Sequence, residues 1–342
     1  MLYKEYISIK SIALHKVGNK LNQDEIVFSK SLLNIDESLE KILLNYFLST
    51  FNFDEQYRFY HDANLSLNEV YTFVSTIFEN QESLFQESIN IAQSLYNESV
   101  HPKIKYGEFY TVHFKDCIFN GETIDAIGLF KSENKDTFLE IDNFDIESKL
   151  GVNINKLDKG CLIFNTQKEN GYQIAIVDNT NRGNEAQYWK DNFLKLQPCS
   201  DEYHHTKDFL NITKNFITKQ IHNEFEVSKT DQIDLLNKTV EYFKNHDNFN
   251  KQQFEDEVFE DNAVIESFRT FDQSYRNEHN INLSDDFEIS AQAVKKQSRV
   301  LKSVLKLDKN FHIYIHGNRN LIEQGTDENG RKFYKIFYEE ES

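Results

Sequence analysis

Proline, methionine, tryptophan and long apolar runs are all scarce in this chain of 342 residues. Two prolines are too few for a proline-rich linker, a collagenous segment or a PxxP ligand tract. The longest apolar runs, such as residues 174–177, fall far short of the roughly 20 residues that span a bilayer. The first residues mix charge with tyrosine and lack the apolar segment of a secretory signal. We therefore expect a protein that has no membrane partner.

Cysteine is also scarce, and recognised catalytic motifs are missing. Cys117, Cys161 and Cys199 are widely separated, and an odd number without Cys-x-x-Cys spacing fits neither a disulfide framework nor a structural zinc site. The chain contains no GxxxxGK[ST] loop, no GxGxxG after a strand and no GxSxG elbow. The sequence therefore predicts free thiols in a reducing cytoplasm, no cofactor, no metal site and no catalytic residue.

Aromatic residues are plentiful, with 29 phenylalanines and 17 tyrosines in a chain that is 39% hydrophobic. Disordered chains have few aromatic residues, so this composition indicates a folded protein with a substantial core. Because domains usually contain about 100–200 residues, the length indicates two domains.

Turn signals and apolar spacing predict the secondary structure. Asn120-Gly121 separates the β-rich runs 109–115 and 123–130, and this dipeptide is the strongest short signal for a β-hairpin. A second hairpin is expected around Glu169-Asn170, and Ser228 with an acidic residue three positions later opens a capped helix. Apolar residues at three- and four-residue steps predict helices in further stretches, which are 38–51, 66–98, 203–221 and 262–279.

Together these elements predict an α+β fold. Residues 1–200 are expected to form an antiparallel sheet-rich N-terminal domain with flanking helices, since no alternating βαβ units are present. A mainly helical C-terminal domain is expected over residues 201–342. That domain should end in a small β-hairpin around Asn329-Gly330.

The net charge of −18 hides an uneven distribution. Residues 251–288 contain three basic and eleven acidic residues, which gives a local charge of −8. Residues 295–319 contain seven basic residues and one acidic residue, which gives +6. An acidic block is thus followed directly by the most basic stretch of the chain, and such patterning is more informative than the total.

A helix from about Ser290 to Leu307 is predicted to carry the basic residues on one side. At 100° per residue, Lys295, Arg299, Lys302 and Lys306 form a stripe about 60° wide, with Lys296 at its shoulder. Apolar residues lie largely opposite and can pack on the core. Two interpretations remain open. The cations either pair with the acidic block, in the same subunit or across a dimer, or they contact a phosphate backbone.

The residues that follow this helix add aromatic and imidazole groups. His312, Tyr314 and His316 alternate along a predicted strand, Phe311–His316, and Arg319 lies in the loop after it. Such groups beside cations suit contacts with nucleic acid, although an ordinary half-buried strand has the same pattern. Arg182, in a polar loop before a predicted helix, is a further candidate for a phosphate contact.

Several segments resemble the bacterial nucleoid-associated protein family NdpA, particularly the form found in Bacteroidetes-like bacteria. The similar segments are residues 15–20, 130–135, 156–165, 184–190 and 295–319. The resemblance extends over essentially the whole chain. The resemblance implies a cytoplasmic protein that is associated with the nucleoid and with DNA. It supplies no catalytic motif.

The leading hypothesis is a non-enzymatic nucleoid-associated protein that binds double-stranded DNA without sequence preference. Its expected phosphate-contacting residues are Lys295, Lys296, Arg299, Lys302, Lys306, Lys309 and Arg319, with Arg182, His312, Tyr314 and His316 as secondary candidates. A homodimer is expected because it doubles the number of phosphate contacts.

Two alternatives belong to other functional classes. An acidic adaptor would bind a basic DNA-processing protein at the nucleoid through surfaces such as residues 51–100, which carry one basic and eight acidic residues. A metal-dependent nuclease would need hard oxygen ligands, for which the candidates are Asp116, Glu122, Asp125, Glu140 and Asp142.

Overall fold

The structure, a computed structural model, consists of two compact units, Met1–Cys199 and Ser200–Ser342. It describes the chain over the following residues: 2–3, 6–180, 188–279, 281–299, 301, 304–308, 310–315 and 321–340. Each unit has its own hydrophobic core.

The first unit is built on a large antiparallel sheet. The strands of this unit are β1 (Leu2–Tyr3), β2 (Ser8–Val17), β3 (Ile26–Val27), β4 (Tyr57–Phe59), β5 (Gly107–Phe119), β6 (Glu122–Ser132), β7 (Asp136–Asp142), β8 (Asp145–Gly151), β9 (Lys159–Phe164), β10 (Gln173–Asp178) and β11 (Leu196–Pro198). Nine of them form one sheet in the order β11-β4-β10-β9-β6-β5-β2-β3, with β1 also paired to β5. The antiparallel sheet predicted for the N-terminal part is therefore confirmed.

The two predicted hairpins form the centre of this sheet. Asn120 and Gly121 have φ values of 52° and 88°, as a two-residue turn of type I′ requires, and they join β5 to β6. The second hairpin joins β9 to β10, and β9 also pairs with β6. Turn chemistry that is readable in the sequence thus fixes two of the strand pairs, and the pairing of β6 with β9 joins them in one sheet.

Helices cover both faces of the sheet, which explains why its central strands are largely buried. The helices of this unit are α1 (Glu37–Leu48), α2 (Glu69–Glu79) and α3 (Leu84–Glu98). Side chains of α2 and α3 pack with Ile127 and Leu129 on one face. Side chains of α1 pack with Phe114 and Phe130 on the other, where the Phe47 ring stacks on Phe130 at 4.2 Å. Every residue of β9 is consequently buried.

Strands β7 and β8 form a separate two-stranded hairpin. Each residue from Asp136 to Leu150 is exposed, in contrast to the neighbouring buried strands. At its base the Asp136 carboxylate accepts hydrogen bonds from Asn153 and Lys156, at 2.7 and 3.0 Å. This hairpin therefore projects into solvent from its own unit.

The second unit is mainly helical, and phenylalanines fill its core. Its helices are α4 (Glu202–Asn215), α5 (Lys229–Asn245), α6 (Lys251–Val258), α7 (Asn262–Glu278) and α8 (Ala291–Ser298). Phe209, Phe254 and Phe268 are fully buried at the centre of this cluster. The predicted capping box of α5 is confirmed, because Ser228 and Asp231 exchange hydrogen bonds between side chain and backbone.

Three short antiparallel ladders complete the second unit. Their strands are β12 (Asn248–Asn250), β13 (Asp286–Glu288), β14 (Val304–Leu307), β15 (Phe311–Tyr314), β16 (Ile322–Thr326) and β17 (Lys332–Ile336), paired in sequence order. The last pair is the small terminal hairpin that the sequence predicts, so the predicted α+β fold class is confirmed.

The predicted helix from Ser290 to Leu307 is wrong in its second half. Helix α8 ends at Ser298, and residues Val304–Leu307 form β14 instead. In β14 the burial alternates with a two-residue period, and its backbone pairs with β15. An isolated helix is only marginally stable, so tertiary pairing with a neighbouring strand overrides its periodicity here.

No helix within the described ranges combines the length and the apolar content that a bilayer crossing needs. Cys117 and Cys161 are buried free thiols, and Cys199 is partly exposed. Burial raises the pKa of the Cys117 thiol to about 12, so this group is uncharged near neutral pH.

Position 171 in the first unit has no space for a side chain. Its φ is +94°, and a Cβ placed on it would lie 2.4 Å from the Phe59 carbonyl oxygen of strand β4. Gly171→Ala should lower the free energy of unfolding by about 3 kcal/mol, because strain and collision add. Gly121→Ala is the control, since its φ is +88° and no atom lies within 4 Å of the added Cβ; it should cost about 1 kcal/mol. Equal losses in urea unfolding would contradict the collision.

The buried ring of His15 should make the stability of the same unit depend on pH. Its Nε2 lies 2.8 Å from the Ser88 hydroxyl, and its Nδ1 accepts from the Ser29 backbone N–H. Burial lowers the pKa of His15 from 6.5 to about 4, so the folded state binds fewer protons than the unfolded state between these values. Unfolding free energy should therefore fall by about 2–3 kcal/mol as pH drops through this range.

The measurement is urea unfolding of the wild type and of His15→Gln from neutral pH to about pH 4.5. The variant lacks the titrating ring, so the difference between the two proteins should shrink as pH falls. Parallel curves over the whole range would refute the role of His15.

Candidate nucleic-acid interface

Helix α8 presents lysines on the side opposite to its core contacts. Ser290 caps its N-terminus by accepting from the Ala293 backbone N–H. Ala293 and Val294 are buried, whereas Lys295 and Lys296 are exposed. The first part of the basic stretch is therefore amphipathic, with its cations in solvent.

Three of the predicted cations are exposed and lack a carboxylate partner. Lys295, Arg299 at the end of α8, and Lys306 on β14 form no ion pair in the described part of the chain. Lys296 differs, because its ammonium lies 5.8 Å from the centre of the Tyr203 ring. That distance allows a cation–π interaction.

The β14–β15 ladder places aromatic and imidazole groups beside Lys306. Lys306 is directly opposite His312 in the register, and Val304 is opposite Tyr314. Lys306, His312 and Tyr314 are exposed, and Tyr314 retains 58% of its accessible surface. The other face of the ladder turns inward, where Leu305 packs with Ile233 of α5. The outer face thus combines a cation, an imidazole and a phenol.

Five of the eleven carboxylates of the acidic block form ion pairs with lysine or arginine of the same unit in the described part of the chain. Glu255 and Asp272 are 99% buried. Arg269 donates to Glu255 at 2.7 Å, while Lys251 and Arg276 donate to Asp272 at 2.5 and 2.6 Å. Additional ion pairs of the block are Glu260–Lys238, Glu266–Arg269 and Asp285–Arg276. Buried carboxylates need such partners, because an unpaired buried charge is costly.

These ion pairs bear on whether the basic stretch is neutralised by the acidic block of the same chain. The acidic block uses Lys251, Arg269 and Arg276, which lie inside it, rather than the basic residues that follow. Neutralisation of Lys295, Arg299 or Lys306 by the block of the same chain is therefore wrong for the described residues. Pairing across a dimer stays a prediction.

The predicted stripe is divided between two elements. Because α8 ends at Ser298, Lys295 lies on a helix and Lys306 on a strand, and they do not share a helical face. The remaining predicted positions lie outside the described residues; they are Arg182, Lys302, Lys309, His316 and Arg319.

A row of buried charges in the first unit was missed by sequence reasoning. Lys131 of β6, Lys159 of β9 and Asp178 of β10 lie opposite one another in adjacent strands. Both lysines are at most 1% exposed. Lysines that face each other repel, so each needs a nearby carboxylate. The Lys159 ammonium donates to the Asp178 carboxylate at 2.8 Å, and the Lys131 ammonium lies 3.1 Å from the Glu133 carboxylate.

Tyr188 and Asp158 extend this network at the ends of the strands. The Tyr188 hydroxyl donates to Glu133 at 2.9 Å, and Asp158 accepts from the backbone N–H groups of Glu133 and Asn134. Burial lowers the pKa of Lys131 and raises the pKa of Tyr188. A cavity of about 340 Å³ adjoins these groups. The signal in the sequence was a lysine at the end of each of two apolar strands.

Two of the five carboxylates considered for a metal site contact other side chains. Asp125 lies 2.9 Å from the His113 ring nitrogen and 3.5 Å from the Lys115 ammonium. Glu140 pairs with Lys149 on the exposed hairpin. Within the described ranges, no group of three His, Cys, Asp or Glu side chains is arranged to hold a metal ion.

Comparison with known protein families identifies the family of the chain. None of the curated proteins compared with it matches. The model of the family described as nucleoid-associated protein YejK matches residues 13–332. This range includes most of the large sheet, the acidic block and the described residues of the basic stretch 295–319. The resemblance to the NdpA family is thereby confirmed. Since the match covers most of its length, the chain belongs to the family of the nucleoid-associated protein YejK.

Proposed function

We propose that this protein is a non-enzymatic nucleoid-associated protein of the cytoplasm that binds double-stranded DNA through its C-terminal cations. The observation that supports this most is that Lys295, Arg299 and Lys306 are exposed and have no carboxylate partner among the described residues. In a chain with a net charge of −18, such unpaired cations, which lie within the most basic stretch of the sequence, are groups that a polyanion can contact. Membership of a nucleoid-associated family agrees with this use.

Phosphate contacts explain how a protein that is acidic overall binds DNA. Each cation that meets a phosphate releases condensed counterions, and this local gain is independent of the total charge of the protein. Exposed charges separated by more than about 8–10 Å are largely screened at physiological salt. The distribution of charge within the contact surface therefore matters more than its sum.

The contacts are expected to be independent of sequence. Phosphate contacts position a protein on the duplex and carry no base information. His312 and Tyr314 lie beside Lys306 and add contacts with sugar or phosphate. Lys296, together with Lys302, Lys309 and Arg319 from outside the described residues, completes the proposed set. A homodimer would double the set on one DNA molecule.

Charge reversal tests the proposal. The variant Lys295→Glu/Arg299→Glu/Lys306→Glu should weaken duplex binding on the order of 100-fold at about 0.1 M salt. The slope of log affinity against log salt concentration should become shallower by roughly 3, because about 0.9 is lost per phosphate contact. Electrophoretic shift assays over a salt series, with two duplexes of unrelated sequence, measure both quantities.

A matched control is available in the first unit. Lys16, Lys30 and Lys41 are exposed there, and their reversal to glutamate changes the net charge by the same amount. This control should retain most of the affinity and the full salt slope. Equal losses in both variants would show that total charge, rather than the C-terminal surface, governs binding; unchanged binding in a folded triple variant would refute the assignment.

A second candidate function is an adaptor that binds a basic DNA-processing protein. The exposed acids Asp62, Glu69, Glu79 and Glu82 of the first unit favour it, because among the described residues only Glu79 has a basic partner, Lys168. If this function dominates, a basic partner should remain bound to the purified protein after complete nuclease digestion and should leave at high salt. Loss of every partner on digestion would favour direct DNA binding.

A further inference from the structure

The exposed β7–β8 hairpin has one apolar face and one charged face. Side chains of paired residues share a face, so the register assigns every position. One face carries only uncharged residues, which are Thr137, Leu139, Ile141, Ile146, Ser148 and Leu150, with Phe144 at the turn. The other face carries Glu140, Asp142, Asp145, Glu147 and Lys149 together with Phe138.

The apolar face is unusually open to solvent. Leu139, Ile141, Ile146 and Leu150 are 64–70% exposed, and Phe144 is fully exposed. Phe144 has a φ of 71°, a conformation that bulky residues rarely adopt. Glycine usually occupies such a turn position, so the phenylalanine is retained there in spite of backbone strain.

The size of this face fits a protein interface. Its four large side chains and Phe144 at the turn expose on the order of 500 Å² of apolar surface, which is in the range of functional patches on single chains. Together with the neighbouring hydroxyl groups and strand edges, the area of this face approaches the roughly 600–800 Å² that each partner buries in a specific dimer. A two-stranded hairpin is by itself only marginally stable in water, and a covering layer would stabilise it.

The charges identify the occupant as a second copy. Two copies of a chain with a net charge of −18 repel each other wherever acidic surfaces meet. This face is free of charge, and the acids of the hairpin point to the opposite side. Face-to-face contact between two copies thus buries apolar side chains while both sets of acids stay in water. A basic partner would gain no ion pair at this face.

We propose that the apolar face of the β7–β8 hairpin is the homodimer interface, where two hairpins pack as layers about 10 Å apart. The same patch on both copies forms a two-fold symmetric contact. This inference rests on the dimer of the proposed function and is independent of DNA binding.

Analytical ultracentrifugation of the full chain without DNA tests the interface. The wild type should sediment as a dimer over a range of protein concentrations. The variants Ile141→Glu and Ile146→Glu should sediment as monomers, because each places a charge twice in the contact. Lys149→Glu, on the opposite face of the same hairpin, adds a charge of the same sign and should leave the dimer intact. All three positions are exposed, so each variant should keep its fold, as circular dichroism measures.

Each result has a defined meaning. A monomeric wild type would overturn the dimer itself, whereas a dimer that persists in both isoleucine variants would overturn only this interface. Dissociation by Lys149→Glu to the same extent would also overturn it, because the apolar face would then have no special role. Phe144→Ser, which removes apolar surface without adding charge, should weaken the dimer as well and separates lost burial from added repulsion.

Discussion

Pairing of the acidic block with its own cations is the constraint on which the C-terminal surface depends. Glu255 and Asp272 are buried, and each is bound by arginine or lysine from residues 251–276. Removal of such a cation would leave a buried carboxylate without compensation, so these cations are committed to the fold. The carboxylates are committed as well. Lys295, Arg299 and Lys306 therefore remain available, although acidic residues outnumber basic ones in the protein as a whole.

Local turn and cap chemistry made much of the fold predictable. Asn120-Gly121 and the Ser228 cap act through their own backbone geometry, which distant residues do not change. The end of α8 could not be predicted in the same way. Residues 291–307 have a helical spacing of apolar residues, and it is pairing with β15, a contact invisible in the local pattern, that converts Val304–Leu307 into a strand.

The candidate site was predictable in composition and not in geometry. The net charge of residues 295–319 identified the cations, while their division between a helix and a strand depends on tertiary pairing. The buried Lys131 and Lys159 escaped prediction because lysine is almost never fully buried without a partner, and partners on separate strands are not recognisable from spacing.

The most direct test of the central claim is acetylation of lysines by a limiting reagent, read by mass spectrometry with and without duplex DNA. Without DNA, Lys295 and Lys306 should react rapidly, whereas Lys251, which is bound to buried Asp272, should react slowly. With DNA, Lys295 and Lys306 should become protected at low salt and regain reactivity as salt increases. Equal reactivity of Lys295 and Lys306 with and without DNA, under conditions where the duplex is bound, would contradict the account.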